Sequence, residues 1–124
     1  MSYHVVEPES IEPRDGIPGA HRYLNDAVDL EEMAIQVIEA EPGEDVAPFH
    51  YHAESDEVFY VLEGTLTAEV PDDEFTVEAG NWFFINSENP LHVFNAADAT
   101  EPLRALLINL DVDDFTLWSA DDDE

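Results

Sequence analysis

The chain has 124 residues, with 31 acidic side chains against three arginines, no lysine and no cysteine, and a formal net charge of -28. A domain of this length buries roughly two-thirds of its unfolded surface, so one core is feasible. The balance excludes a nucleic-acid partner, whose phosphates would be repelled, and it excludes disulfides and thiolate metal sites.

Residues 1–32 read as an irregular arm. A short strand is expected at 3–6, and residues 21–28 allow one helical turn. Between them Pro8, Pro13, Gly16, Pro18 and Gly19 interrupt regular structure. The opening MSYHVVEPES is acidic and lacks an apolar segment, so it does not read as a signal peptide. No apolar run approaches the length of a membrane span, which makes a soluble cytoplasmic protein the default expectation.

From Met33 the pattern turns to short strands, expected at 33–40, 48–52, 57–63, 65–70, 74–79, 81–85, 91–95 and 102–110. Turn residues separate them, with Gly43, Gly64 and Gly80 as turn formers. Many short strands at this spacing predict an all-β sandwich or barrel over residues 33–112. Trp82, Phe83 and Phe84 are consecutive, and this predicts a strand buried on both faces. In the acidic tail, 113–124, Phe115, Leu117 and Trp118 are expected to dock on the barrel or on a second subunit, while the last acids fray.

The chemistry concentrates in PFHYHAESDEVFYVLEG, residues 48–64. A strand alternates its faces, so His50 and His52 project the same way and Tyr51 the other. Glu57 opens the apolar strand that follows, where an inward acid needs a partner. His92, the one histidine downstream, is the candidate fourth ligand. Imidazoles and a carboxylate suit one divalent transition metal, Mn, Fe, Co, Ni or Zn, with positions left open. By strand parity from Glu57 and His92, the pocket lining is expected from Phe59, Val61 and Phe94, although Val61 reads equally well as core. Arg22 could serve an anionic substrate or pair with a surface acid.

The series Gly43, His50, His52, Glu57, Gly64 resembles the first motif of the cupin family. The stretch GNWFFINSENPLHVFN, from Gly80 to Asn95, resembles the second motif more loosely. Asn86 and Glu88 stand where proline and glycine are usual, Pro90 lies two before His92, and Asn95 follows His92 by three. The resemblance implies a jelly-roll β-barrel, the double-stranded β-helix, with a metal held by His50, His52, Glu57 and His92. It implies a small-molecule ligand and allows a homodimer.

Cupins include dioxygenases, isomerases, decarboxylases and noncatalytic binding modules, and the fold does not choose among them. A small metalloenzyme acting on a small polar or sugar-like metabolite stands first. A noncatalytic ligand-binding module is the alternative, and a barrel whose metal serves stability alone is the third. The spread of acids without lysine resembles proteins of halophilic archaea, in which molar salt screens self-repulsion.

Overall fold

The computed structural model describes residues 5–16, 19–28, 30, 32–109 and 115–119. Among these residues ten strands form two antiparallel five-stranded sheets. They are β1 Ala20–Tyr23, β2 Ala34–Ala40, β3 Asp45–Tyr51, β4 Glu57–Glu63, β5 Thr65–Val70, β6 Asp73–Glu78, β7 Trp82–Ile85, β8 Leu91–Phe94, β9 Leu103–Asn109 and β10 Thr116–Leu117. One sheet runs β1-β2-β9-β4-β7 and the other β10-β3-β8-β5-β6. This is the expected jelly roll.

The core follows from period-two alternation. The first sheet turns Ile38, Ala40, Phe59, Val61, Leu103, Ala105 and Leu107 inward, and the second adds Val46, Leu66, Ala68, Val77, Leu91 and Val93. At one end the inward positions become polar: His21, Gln36 and Asn109 from the first sheet's β1, β2 and β9, Glu57 from β4, and His50 from β3, all buried. The site sits where the apolar filling stops.

Both expected end segments contribute strands. β1 adds an edge to the first sheet, pairing His21 with Ile38 and Tyr23 with Gln36. His21 is therefore in a strand, and the helical turn is a 3-10 turn that follows at Leu24–Asp26. Arg14 fixes the arm by donating to both carboxylate oxygens of Asp26, at 2.7 and 3.0 Å, and by lying 3.6 Å over the Tyr23 ring. Arg22 pairs with Glu39 and donates to the Ile11 carbonyl, so its role is structural. Of the expected strand at 3–6, Val5 and Val6 are irregular, while Tyr3 and His4 lie outside the described residues. Leu110, the last residue of another expected strand, lies outside them too.

At the other end, β10 pairs with β3, and the Trp118 amide donates to the Phe49 carbonyl. The tail docks on the barrel through Phe115 and Trp118, while Leu117 points outward.

The strand β7 departs from expectation. It is an edge strand bonded only to β4. Phe83 packs against the core, but Trp82 and Phe84 are 52% and 67% exposed. A fully apolar triplet reads as two buried faces, but among the described residues no layer covers the outer face of this sheet at Trp82 and Phe84. Tyr60 and Trp82 pack there with centroids 4.4 Å apart and planes tilted by 45°.

Candidate metal centre and cavity

Two strands and a short connection build the centre. β3 delivers His50, and His52 follows one residue past its end. β4 opens with Glu57, whose neighbour across β9 is Asn109. Donor atoms of His50, His52 and Glu57 all lie within 4.8 Å of one another, and all three residues are buried. His52 Nε2 is 3.0 Å from Glu57 Oε2, and His50 Nε2 is 3.5 Å from Glu57 Oε1. Three residues are thus near enough to hold one metal ion.

The proton positions support this. His50 Nδ1 lies 2.7 Å from the Pro48 carbonyl oxygen, which can only accept, so the neutral ring carries its proton on Nδ1. The lone pair on Nε2 then faces Glu57 Oε1, a buried oxygen that has no hydrogen-bond partner. Burial pushes the Glu57 carboxyl up, while proton donation and positive charge from the His50 and His52 rings, available only when Nε2 of each is protonated, draw it below the usual range. A buried carboxylate facing an imidazole lone pair calls for a cation between them. The backbone acceptor behind His50 is the kind of outer partner that orients a metal-binding imidazole.

His92 does not join this group. In β8 the inward positions are Leu91 and Val93, so His92 and Phe94 face the outside of the second sheet. There His92 Nδ1 meets Glu69 Oε1 and Nε2 meets Asp45 Oδ1, each at 2.9 Å. Burial alone would lower the His92 pKa, but the two carboxylates overcome it and raise the value. Both ring nitrogens are engaged, and the expected fourth ligand is revised accordingly.

A cavity of about 500 Å³ opens beside the three donors. The expected lining does not form it. Phe59 and Val61 are fully buried in the core, and Phe94 packs on His92 outside, with centroids 4.7 Å apart. The walls instead come from residues including His21, Tyr23, Gln36, Leu107, Asn109 and Phe115. Sequence reasoning missed these for two reasons. His21 and Tyr23 lie in the proline- and glycine-rich arm, and Gln36 and Asn109 are single amides with no motif. The available signal was the parity of their strands, which puts Gln36 in phase with Ile38, and Asn109 in phase with Leu107.

Burial raises the Tyr23 phenol, Arg14 opposes this, and Asp26 and Glu57 add to it, so the hydroxyl stays protonated. Phe115 stacks on His50, centroids 4.6 Å apart and planes 17° apart, at the edge of the cavity.

A jelly roll with an inward His-x-His and glutamate at one end of the core defines a cupin site. The cupin-domain family model matches residues 36–109, and the chain belongs to the cupin family. No curated protein matches it. Among solved structures, it is similar to a putative sugar phosphate isomerase from Acidithiobacillus ferrooxidans, at 29% identity over 77% of this chain and 60% of that one, with a TM-score of 0.67. This chain thus spans about three-fifths of that protein. A cupin-superfamily sugar phosphate isomerase from Silicibacter pomeroyi matches at 22% identity over 95% and 98% of the two chains, TM-score 0.75. A predicted oxalate decarboxylase from Thermotoga maritima matches at 21% identity over 86% and 98%, TM-score 0.69. The last two likenesses bear on the fold alone. Among the described residues no helix is long and apolar enough to cross a membrane.

Proposed function

We propose that this cupin is a small metalloenzyme in which His50, His52 and Glu57 hold one divalent transition metal and the adjoining cavity takes a small polar metabolite. One observation carries the reading: the unpartnered, buried Glu57 Oε1 faces the lone pair of His50 at 3.5 Å. Two histidines and one carboxylate with open positions suit Mn, Fe, Co, Ni or Zn. A bound metal would supply Lewis acidity towards a carbonyl or hydroxyl oxygen, or redox chemistry if it is iron. The protein's own part is to orient His50 through Pro48, to keep Glu57 ionised and to offer the Tyr23 hydroxyl to the ligand. Isomerisation of a sugar-like compound is compatible with this set; the two similar structures named for isomerisation are sugar phosphate isomerases, one of them putative.

A noncatalytic binding module is the second reading. The stack of Phe115 on His50 favours it by narrowing access to the centre.

The acid-rich surface suits a salt-loaded cytoplasm. The outer face of the first sheet, with Tyr60, Trp82 and Phe84, suits a second copy of the chain. Around these three rings it offers apolar contact in a protein of net charge -28.

The deciding experiment is elemental analysis of protein purified in high salt without chelators or nickel resin. Near-stoichiometric metal is expected in the wild type, and little in His50→Ala or His52→Ala variants that keep their β-sheet circular dichroism. Full occupancy in both variants would refute the ligand set.

A further inference from the structure

Beside the candidate metal centre the cavity is lined in part by two amide side chains, Gln36 and Asn109. Asn109 sits at the end of β9, in register with Glu57 on one side and with the small Ala34 on the other. It is 6% exposed, and its Oδ1 is buried without a hydrogen-bond partner among the described residues. An orphaned carbonyl oxygen in a buried wall is unfavourable, because it has lost water without gaining a donor. A ligand that donates a proton there removes that cost.

Gln36, on the neighbouring strand β2, adds a second oxygen by a proton count. His21 Nε2 lies 2.9 Å from the Val46 carbonyl oxygen, which can only accept, so a neutral His21 carries its proton on Nε2. His21 Nδ1 must then accept, and the Gln36 amide 2.6 Å away must present its NH2. The oxygen and nitrogen of a side-chain amide are assigned by such networks. With the nitrogen turned to His21, the Gln36 oxygen is the amide atom left for the cavity, since Gln36 has no other side-chain hydrogen bond among the described residues.

No arginine balances these oxygens. Arg14 is held by Asp26, Arg22 by Glu39, and Arg104 lies 3.9 Å from Glu9, and the chain has no lysine. None of the three arginines is among the residues lining the cavity. Apart from the metal itself and the Tyr23 hydroxyl, a carboxylate or phosphate ester would meet carbonyl oxygens with no cationic side chain on the cavity wall. A hydroxyl group would meet acceptors.

We propose that the cavity selects a neutral, hydroxyl-bearing small molecule over a phosphate ester or carboxylate, with the side-chain oxygens of Asn109 and Gln36 accepting its hydroxyl protons. This selectivity rests on the reading of the adjoining cavity as the metabolite site. It separates the chain from what the names of its structural neighbours, a sugar phosphate isomerase and an oxalate decarboxylase, say of those proteins.

The test is titration calorimetry on the full chain, as purified and again after chelator treatment. The neutral probes are D-ribose, D-fructose and glycerol, and the anionic probes are ribose 5-phosphate and oxalate. At least one neutral probe is expected to bind, and ribose to bind at least tenfold more tightly than ribose 5-phosphate. Asn109→Leu and Gln36→Met are each expected to weaken the neutral probe about five- to tenfold. If Asn109→Leu does not fold, Gln36→Met carries the comparison. Tighter binding of either anion to the chelated protein, no binding of any neutral probe, or unchanged affinity in the folded variants would overturn the proposal. Metal content, measured on the same samples, reports separately on the ligand set, so failure of one reading is distinguishable from failure of the other.

Discussion

Phe115 lies almost parallel to His50, with the ring centroids 4.6 Å apart, and so connects the docked tail to the candidate metal centre. The contact is held by β10, which pairs Leu117 with His50 across β3. Removing this ring should act on access more than on fold. Phe115→Ala is expected to cost about 1 kcal/mol of stability. It should also speed the removal of bound metal by a chelator several-fold. Unchanged chelation kinetics would separate the tail from the site.

The ion pairs of His92 set a pH dependence. Its pKa is raised in the folded protein, so folding binds its proton more tightly than the unfolded chain does. The stabilisation is fully present below the ordinary imidazole value and fades as pH climbs through the raised one. Asp45 from β3 and Glu69 from β5 supply the charges, and Phe49 and Phe94 flank the ring. The partners are partly exposed, so the effect should be about 1 kcal/mol or less. Urea denaturation of wild type and His92→Gln should differ at about pH 6 and converge towards about pH 9. A gap that widens with pH would contradict this.

Gly64 joins β4 to β5 with φ of 78°, and a Cβ added there would lie 2.4 Å from the Pro102 carbonyl oxygen. Backbone strain and a clash with main chain then act together. Gly64→Ala should lose about 2–4 kcal/mol. Gly80 also has positive φ, at 90°, but open space around it, so Gly80→Ala should lose only about 1 kcal/mol. Equal losses in thermal melts would show that the clash is relieved.

The exposed rings of Trp82 and Phe84 should mark the surface between two copies. Sedimentation velocity in high salt is expected to give a dimer for the wild type and a monomer for Phe84→Glu. A wild-type monomer at all concentrations would dismiss this surface as an interface.

Salt should stabilise the protein. With a net charge of -28 and three cationic side chains, repulsion spans the whole surface. The screening length falls from about 10 Å at 0.1 M to about 3 Å at 1 M salt. The urea midpoint should rise steadily across that range in KCl. A flat response would remove the argument for a salt-loaded cytoplasm.

The strands of the barrel were legible because alternation is a strong signal. β4 and β5 fall at the expected 57–63 and 65–70, and most of the others agree within a residue or two. β3 begins earlier than expected, at Asp45, where register shifts against β8 disturb the alternation. β1 escaped notice because four residues among prolines and glycines show almost no pattern. His50, His52 and Glu57 could be read because their spacing reflects strand parity and a short connection. His92 could not, because being the last histidine says nothing about which way its side chain points. The flanking Leu91 and Val93 did carry that information, since two aliphatic residues in phase claim the inward face. Asn109 was illegible for a different reason: an amide at a strand's end becomes distinctive only when its partners are counted.

Trp82 and Trp118 are the chain's only tryptophans, and they belong to different sheets, Trp82 opening β7 and Trp118 following β10. Trp82 packs on Tyr60 outside the first sheet, and Trp118 packs on Phe49, centroids 5.0 Å apart, against the second. The molecule therefore carries a built-in optical probe on each side. A Trp82→Phe protein would let emission follow the tail alone, and a Trp118→Phe protein would follow the apolar face alone. Two single-fluorophore versions could then time the release of one region without interference from the other.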